Sequence, residues 1–160
     1  MLLSSDLAQR GFSTKKVSAD DLRDYVRVIE ICLKKYIDES HESFGEWNDE
    51  NVEKEFFIKM ERTLFEKLLL HGEIVGFFAY DVKEDKIDGI SINLVDKARN
   101  NGIGSLYLTH IIGLSDEQNK PIFLTVMKTN PAVYLYARHG FKHHNDLPGL
   151  YQMVYHPKNS

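Results

Sequence analysis

The chain has one cysteine, one tryptophan and four prolines in 160 residues. A single cysteine excludes an internal disulfide. Cys32 also falls on the apolar stripe of a predicted helix, where a buried thiol behaves as a small hydrophobe rather than a nucleophile. No cysteine cluster occurs, so no catalytic metal is expected, and His143-His144 has no ligand set around it. A Ser-His-Asp signature is missing too, which argues against a covalent acyl-enzyme. The longest apolar run, 74–80, is far shorter than the roughly 20 residues of a membrane-spanning helix. Residues 1–11 lack a charged start followed by a long apolar block, so no secretory leader is expected and a cytoplasmic location is the default. Positive charge is not in excess. With 20 Lys and Arg against 24 Asp and Glu, the net charge of -4 gives no reason to expect a nucleic acid partner.

What is present is an ordinary globular composition, 42% hydrophobic and 28% charged, in a length that suits one domain. Residues 1–11 read as a loose arm and 12–160 as a single domain. After a short strand at 12–17, Ser18 and the acids behind it start a helix, and Leu22, Tyr25, Val26, Ile29, Cys32, Leu33 and Tyr36 follow at helical spacing. Residues 37–50 break that pattern and are acidic, with Phe44, Gly45 and Trp47. They read as a solvated loop, or as a lid whose Trp47 and carboxylates would wall a pocket for a cationic amine. Asn48 or Asp49 caps a second helix through Val52, Phe56 and Met60. Strands at 63–70 and 73–82 are joined by His71-Gly72. A third strand leads to the stretch around which the rest is arranged.

That stretch is 90–105, ISINLVDKARNNGIGS. Ile90, Ile92 and Leu94 alternate with Ser91 and Asn93 as in a strand. A glycine turn follows, and helical periodicity begins at Leu106. The free N–H groups and positive dipole end of that helix, with Arg99 beside them, make a ready phosphate site. A Walker loop needs Lys-Ser or Lys-Thr after the second glycine, and Ser105-Leu106 stands there. A dinucleotide fingerprint needs a further glycine where Tyr107 stands.

The pattern R-x-x-G-x-G, Arg99 to Gly104, instead resembles the pyrophosphate-binding signature of the GNAT superfamily of acetyl-CoA-dependent N-acetyltransferases. A second stretch, LTVMKTNPAVYLYARHGF at 124–141, resembles the same family's strand, N-P-A turn and L-Y-x-x-x-G-F helix. Asn130, Pro131, Ala132, Leu135, Tyr136, Gly140 and Phe141 all match. In this second stretch Asn and Pro also start a helix and Gly140 stops it, on local chemistry alone.

The resemblance implies acetyl-CoA as co-substrate, with the backbone of Asn100, Asn101, Gly102, Ile103, Gly104 and Ser105 on the pyrophosphate. The backbone at Leu94 and Val95 would bond the pantetheine arm as an added strand does. Asn130 caps its helix, bonds that arm, or does both, and the small Ala132 leaves room for the thioester. The resemblance makes Tyr136 the general acid, the alternative being a packed core tyrosine, and points to Asp88 as base, with Glu73, a lid acid or water as alternatives. Tyr36, Trp47, Ser91 and Asn93 are placed on the acceptor side.

The expected fold is α/β, a GNAT-like mixed sheet in the order β-α-α-β-β-β-α-β-α-β-β flanked by helices. The expected function is direct transfer of acetyl from acetyl-CoA to a primary amine of a small molecule or peptide. The alternatives are a protein lysine or N-terminal acetyltransferase and a non-catalytic acyl-CoA sensor. No membrane partner is expected. Aromatic residues near the C-terminus could supply a homodimer interface.

Overall fold

Chain order brings strand and helix signals into one mixed sheet, in a computed structural model that describes residues 1–158. The elements are α1 (Ser5–Gln9), β1 (Phe12–Lys16), α2 (Leu22–Glu39), α3 (His41–Phe44), α4 (Asp49–Arg62), β2 (Leu64–Leu70), β3 (Glu73–Val82) and β4 (Ile87–Leu94). They continue as α5 (Ile103–Gln118), β5 (Ile122–Met127), α6 (Ala132–Arg138), β6 (Lys142–Leu147) and β7 (Leu150–Tyr155). The sheet order is β1-β2-β3-β4-β5-β7-β6. Every neighbouring pair is antiparallel except β4 and β5. Those two parallel strands share one ladder pair, Ile87 with Ile122, and then part. The wedge opened beyond that pair is the feature on which the site depends.

The core forms two layers because β3 is apolar on both faces. Phe77 stacks edge-on against Tyr25 of α2, ring centres 5.2 Å apart, while its neighbour Phe78 lies 4.3 Å from Tyr107 of α5. Successive side chains on a strand point to opposite faces, so one strand anchors both helix layers. Tyr25 also meets Phe56 of α4 at 5.3 Å and Phe65 of β2 at 5.6 Å, which ties α2 and α4 to the same face. Near the C-terminus, Phe141 and Tyr155 are buried in the core.

Several starts follow the local chemistry. Ser18 and Asp21 close a capping box ahead of α2. Asn48 Oδ1 accepts the Glu50 N–H at 2.8 Å to start α4, and Asn130 Oδ1 accepts the Ala132 N–H at 2.9 Å to start α6. Two segments differ from expectation. The arm expected to be loose holds α1, because Ser4 caps it, Leu7 is buried, and the terminal ammonium lies 3.3 Å from Glu66. Residues 37–50 are not loop throughout. The α2 helix runs on to Glu39, and α3 adds a turn that ends at Gly45 with φ 73°.

Lys67 Nζ lies 2.8 Å from Asp21 Oδ2, both side chains largely shielded. Burial pushes the Asp21 carboxyl up, but Lys67 and the Ser18 N–H outweigh it and hold the pKa below its ordinary value. A depressed folded pKa stabilises above the unfolded value of about 3.9, and that contribution is lost as pH falls through the folded value. Asp21→Ala should therefore cost about 2 kcal/mol at neutral pH, with the difference from wild type shrinking below about pH 4. Urea unfolding at both pH values checks this.

Candidate active site

Two cavities meet in the wedge between β4 and β5. The first, about 490 Å³, runs from the glycine turn to the start of α6. Gly102 takes φ 74°, a left-handed conformation in which a side chain is strained, and a Cβ there would enter open space. The first intrahelical bond of α5 is donated by Leu106 to Gly102 O. Among the described residues, the N–H groups of Ile103, Gly104 and Ser105 have no partner, and the dipole of a 16-residue helix stands behind them. Gly104 keeps the wall low, since a Cβ there would touch only Leu135 Cδ2 at 3.4 Å. These are the features a pyrophosphate needs.

Tyr36, Leu94, Arg99, Asn100, Gly102, Ile103, Gly104, Ser105, Asn130 and Ala132 all line this first cavity. Arg99 folds back over the strand end. Its Nε donates to Leu94 O at 2.8 Å, Nη1 reaches Asp96 at 3.0 Å, and Nη2 lies 4.0 Å from Cys32 Sγ. The Cys32 thiol donates to the same Leu94 carbonyl at 3.4 Å, and burial pushes its pKa up. Val95 and Asn101 are not part of the lining. The Val95 N–H is spent on Val75 O, inside the β3 ladder, and the alternation of a strand then turns the Leu94 groups to the open side. The Asn101 side chain bonds Arg10 and Arg99 O instead.

The second cavity, about 430 Å³, lies under α3 and α4. Trp47, Ser91, Asn93, Asn130, Ala132 and Tyr136 line it. Asn93 is 6% exposed and donates from Nδ2 to Ser91 Oγ at 2.9 Å. Tyr136 is equally buried, its ring edge-on to Phe141 at 5.8 Å, and burial pushes its phenol up to about 12. Asn93, Asn130 and Ala132 line both cavities, which marks the join between them.

Three sequence candidates are placed elsewhere. Asp88 stands five residues before Asn93 on β4, roughly 16 Å away at strand rise. It pairs there with Lys83 at 2.8 Å and lines a smaller hollow, about 310 Å³, shared with Lys86. Glu73 sits at the start of β3 in an exposed pair with Lys97. Tyr36 lines the cavity of the glycine turn and not the one beneath the lid. The carboxylates that do line the second cavity are Glu46 and Glu55. Glu55 and Asn51 were legible in principle: Asn48, Asn51 and Glu55 form a polar stripe on α4 beside the apolar Val52 and Phe56. Among the described residues no three His, Cys, Asp or Glu side chains cluster as metal ligands, and no helix is long and apolar enough to cross a membrane.

Residues 29–141 match the acetyltransferase (GNAT) family. A sequence search of curated proteins finds no match. Among solved structures, the PaiA N-acetyltransferase of Thermoplasma acidophilum in complex with coenzyme A superposes with a TM-score of 0.69 at 15% identity, over 91% of this chain and 98% of that one. The ribosomal-protein-S18-alanine N-acetyltransferase of Escherichia coli gives 0.66 at 19% identity, over 91% and 93%. Arabidopsis thaliana Naa50 in complex with the bisubstrate analogue CoA-Ac-MVNAL gives 0.66 at 17%, over 91% and 98%. At such identities the likeness is one of fold.

Proposed function

The chain belongs to the GNAT family of acetyl-CoA-dependent N-acetyltransferases, and on that premise we propose that it acetylates a primary amine by direct attack in a ternary complex. The observation that carries the proposal is the meeting of the two cavities at Asn93, Asn130 and Ala132, with the glycine turn beyond one side and the Tyr136 phenol on the other.

Bound acetyl-CoA would supply a thioester carbonyl as the electrophile. The N–H groups of Ile103, Gly104 and Ser105 would hold its pyrophosphate, and Arg99 would add charge there. The open-side N–H of Leu94 would bond the pantetheine arm, its carbonyl being held by Arg99 and Cys32, and Ala132 would leave space beside it. As the amine nitrogen bonds to the acetyl carbon, the carbon–sulfur bond breaks and Tyr136 donates its proton to the departing sulfur. The amine's own proton must leave before or during attack, because an alkyl amine is mostly protonated at neutral pH. Asp88 and Glu73 lie outside the cavity. Glu46 and Glu55 line the acceptor cavity but not the join, and we therefore assign that proton to solvent at the cavity mouth. Proximity within the join and proton donation by Tyr136 would provide the rate.

Mixing the protein with acetyl-CoA and a panel of primary amines, and following free thiol together with the acetylated product by mass, tests the proposal. Thiol release without an acetylated amine would overturn it. The pH profile gives a second check. Turnover per acceptor should rise from about pH 6 to about pH 10 as the neutral amine accumulates, with no alkaline fall. Burial holds the Tyr136 proton up to about pH 12. A decline setting in near pH 9 would point to a different proton donor.

A further inference from the structure

We infer that the acceptor is a small linear amine with a second positive charge, an alkyl diamine in its simplest form. Its reactive nitrogen lies against Asn93 and its distal ammonium against Glu46 and Glu55. The inference rests on the acetyl-transfer reading and names the substrate class of that same site.

The shape of the cavity comes first. The lid helix α3 reaches the β6–β7 turn: a Cβ built on Gly149 would fall 2.8 Å from Ser43 Cβ and 2.8 Å from Phe44 Cζ. The bare backbone of Gly149 is what lets lid and turn touch. Phe44 and Leu150, from the two sides of that contact, both line the acceptor cavity. The cavity is therefore bridged on its outer side. A slender chain can thread beneath the bridge, whereas the body of a folded protein cannot follow its own terminus in.

Charge and hydrogen bonding narrow the choice further. Among the described residues lining this cavity, Glu46 and Glu55 are the only ionic side chains. Glu46 has no ion pair among the described residues, and the only partner of Glu55 is Lys59 at 3.8 Å. Neither glutamate lines the cofactor cavity, so both stand away from the join, where a distal charge would lie. Trp47 adds an aromatic side chain to the same wall, a favourable neighbour for an alkylammonium. At the join, the buried Asn93 spends Nδ2 on Ser91, while its Oδ1 has no partner among the described residues. That leaves the Asn93 carbonyl oxygen as an open acceptor, and an amine N–H supplies it with a donor.

The test compares 1,4-diaminobutane, 1-aminobutane and a short peptide with a free N-terminus, by calorimetric binding to the coenzyme A-loaded protein and by acetyl transfer. The diamine is expected to bind roughly tenfold more tightly than the monoamine. The preference should fall as salt rises and vanish in the Glu46→Gln, Glu55→Gln double variant. Equal binding of diamine and monoamine, tighter binding of the peptide, or a preference that survives in the double variant would each overturn the inference. If the monoamine or peptide is acetylated and the diamine is not preferred, acetyl transfer stands and the diamine falls. If the diamine is preferred and no amine is acetylated, the transfer reading fails instead.

Discussion

Gly104→Glu should abolish measurable acetyl-CoA binding in a protein that still folds. The substitution places a carboxylate where the first turn of α5 offers its free N–H groups. At about 4 Å from a phosphate, two like charges repel by about 4 kcal/mol in a surface-like dielectric, roughly a thousandfold in affinity. Folding is not the obstacle. The backbone at Gly104 is ordinary helix, and a Cβ meets only the flexible end of Leu135 at 3.4 Å. Gly104→Ala is the control, since it adds the Cβ without the charge and removes the glycine penalty in a helix. Calorimetric titration of wild type and both variants with acetyl-CoA, beside their melting curves, decides the matter. Wild-type affinity in the glutamate variant would move the pyrophosphate off this turn.

Tyr136→Phe should lower turnover by about a hundredfold while leaving acetyl-CoA affinity unchanged. The magnitude lies at the low end for general-acid loss because a thiolate, unlike an alkoxide or amide, already leaves tolerably without a proton. The substitution is suited to the question. The ring packs against Phe141 and would still do so, and the hydroxyl has no protein partner among the described residues to lose. A fall in stability without a fall in turnover would identify Tyr136 as a packing residue only. Loss of both affinity and turnover would place its role in binding.

The parts of this site that were legible in the sequence are those made by local backbone chemistry. A glycine in a left-handed turn, an unbonded helix start, and an asparagine that caps a helix are written within a few residues, and R-x-x-G-x-G and N-P-A carry them. The antiparallel run β2-β3-β4 and the parallel β4–β5 pair were legible for a similar reason, since short turns compel antiparallel neighbours and a single helix crossover gives a parallel pair, whereas the insertion of β7 between β5 and β6 was not. What escaped depends on contacts between distant segments. Asp88 is an acid on the right strand, but β4 and β5 have not yet parted where it stands, so it never reaches the cavity. Tyr36 lies on the expected stripe of α2, yet the last turns of that helix run beside the cofactor cavity. The lid's contact with Gly149 joins residues about a hundred positions apart, and no periodicity in either segment reports it. The first helix was missed because five residues are too few to show a period, and Leu7 is its single buried side chain.

The lone ladder pair between β4 and β5 has a mechanical meaning. With only Ile87 and Ile122 joined across the parallel seam, the edge of β4, which ends a four-stranded half, and that of β5, which ends a three-stranded half, are left facing a gap. A molecule laid along that gap would take the place of the hydrogen bonds the seam lacks. Occupancy would then stitch the two halves into one continuous fabric. Empty, each half would breathe against the other, and the open-side amides of Ile92 and Leu94 would exchange their hydrogens with solvent quickly.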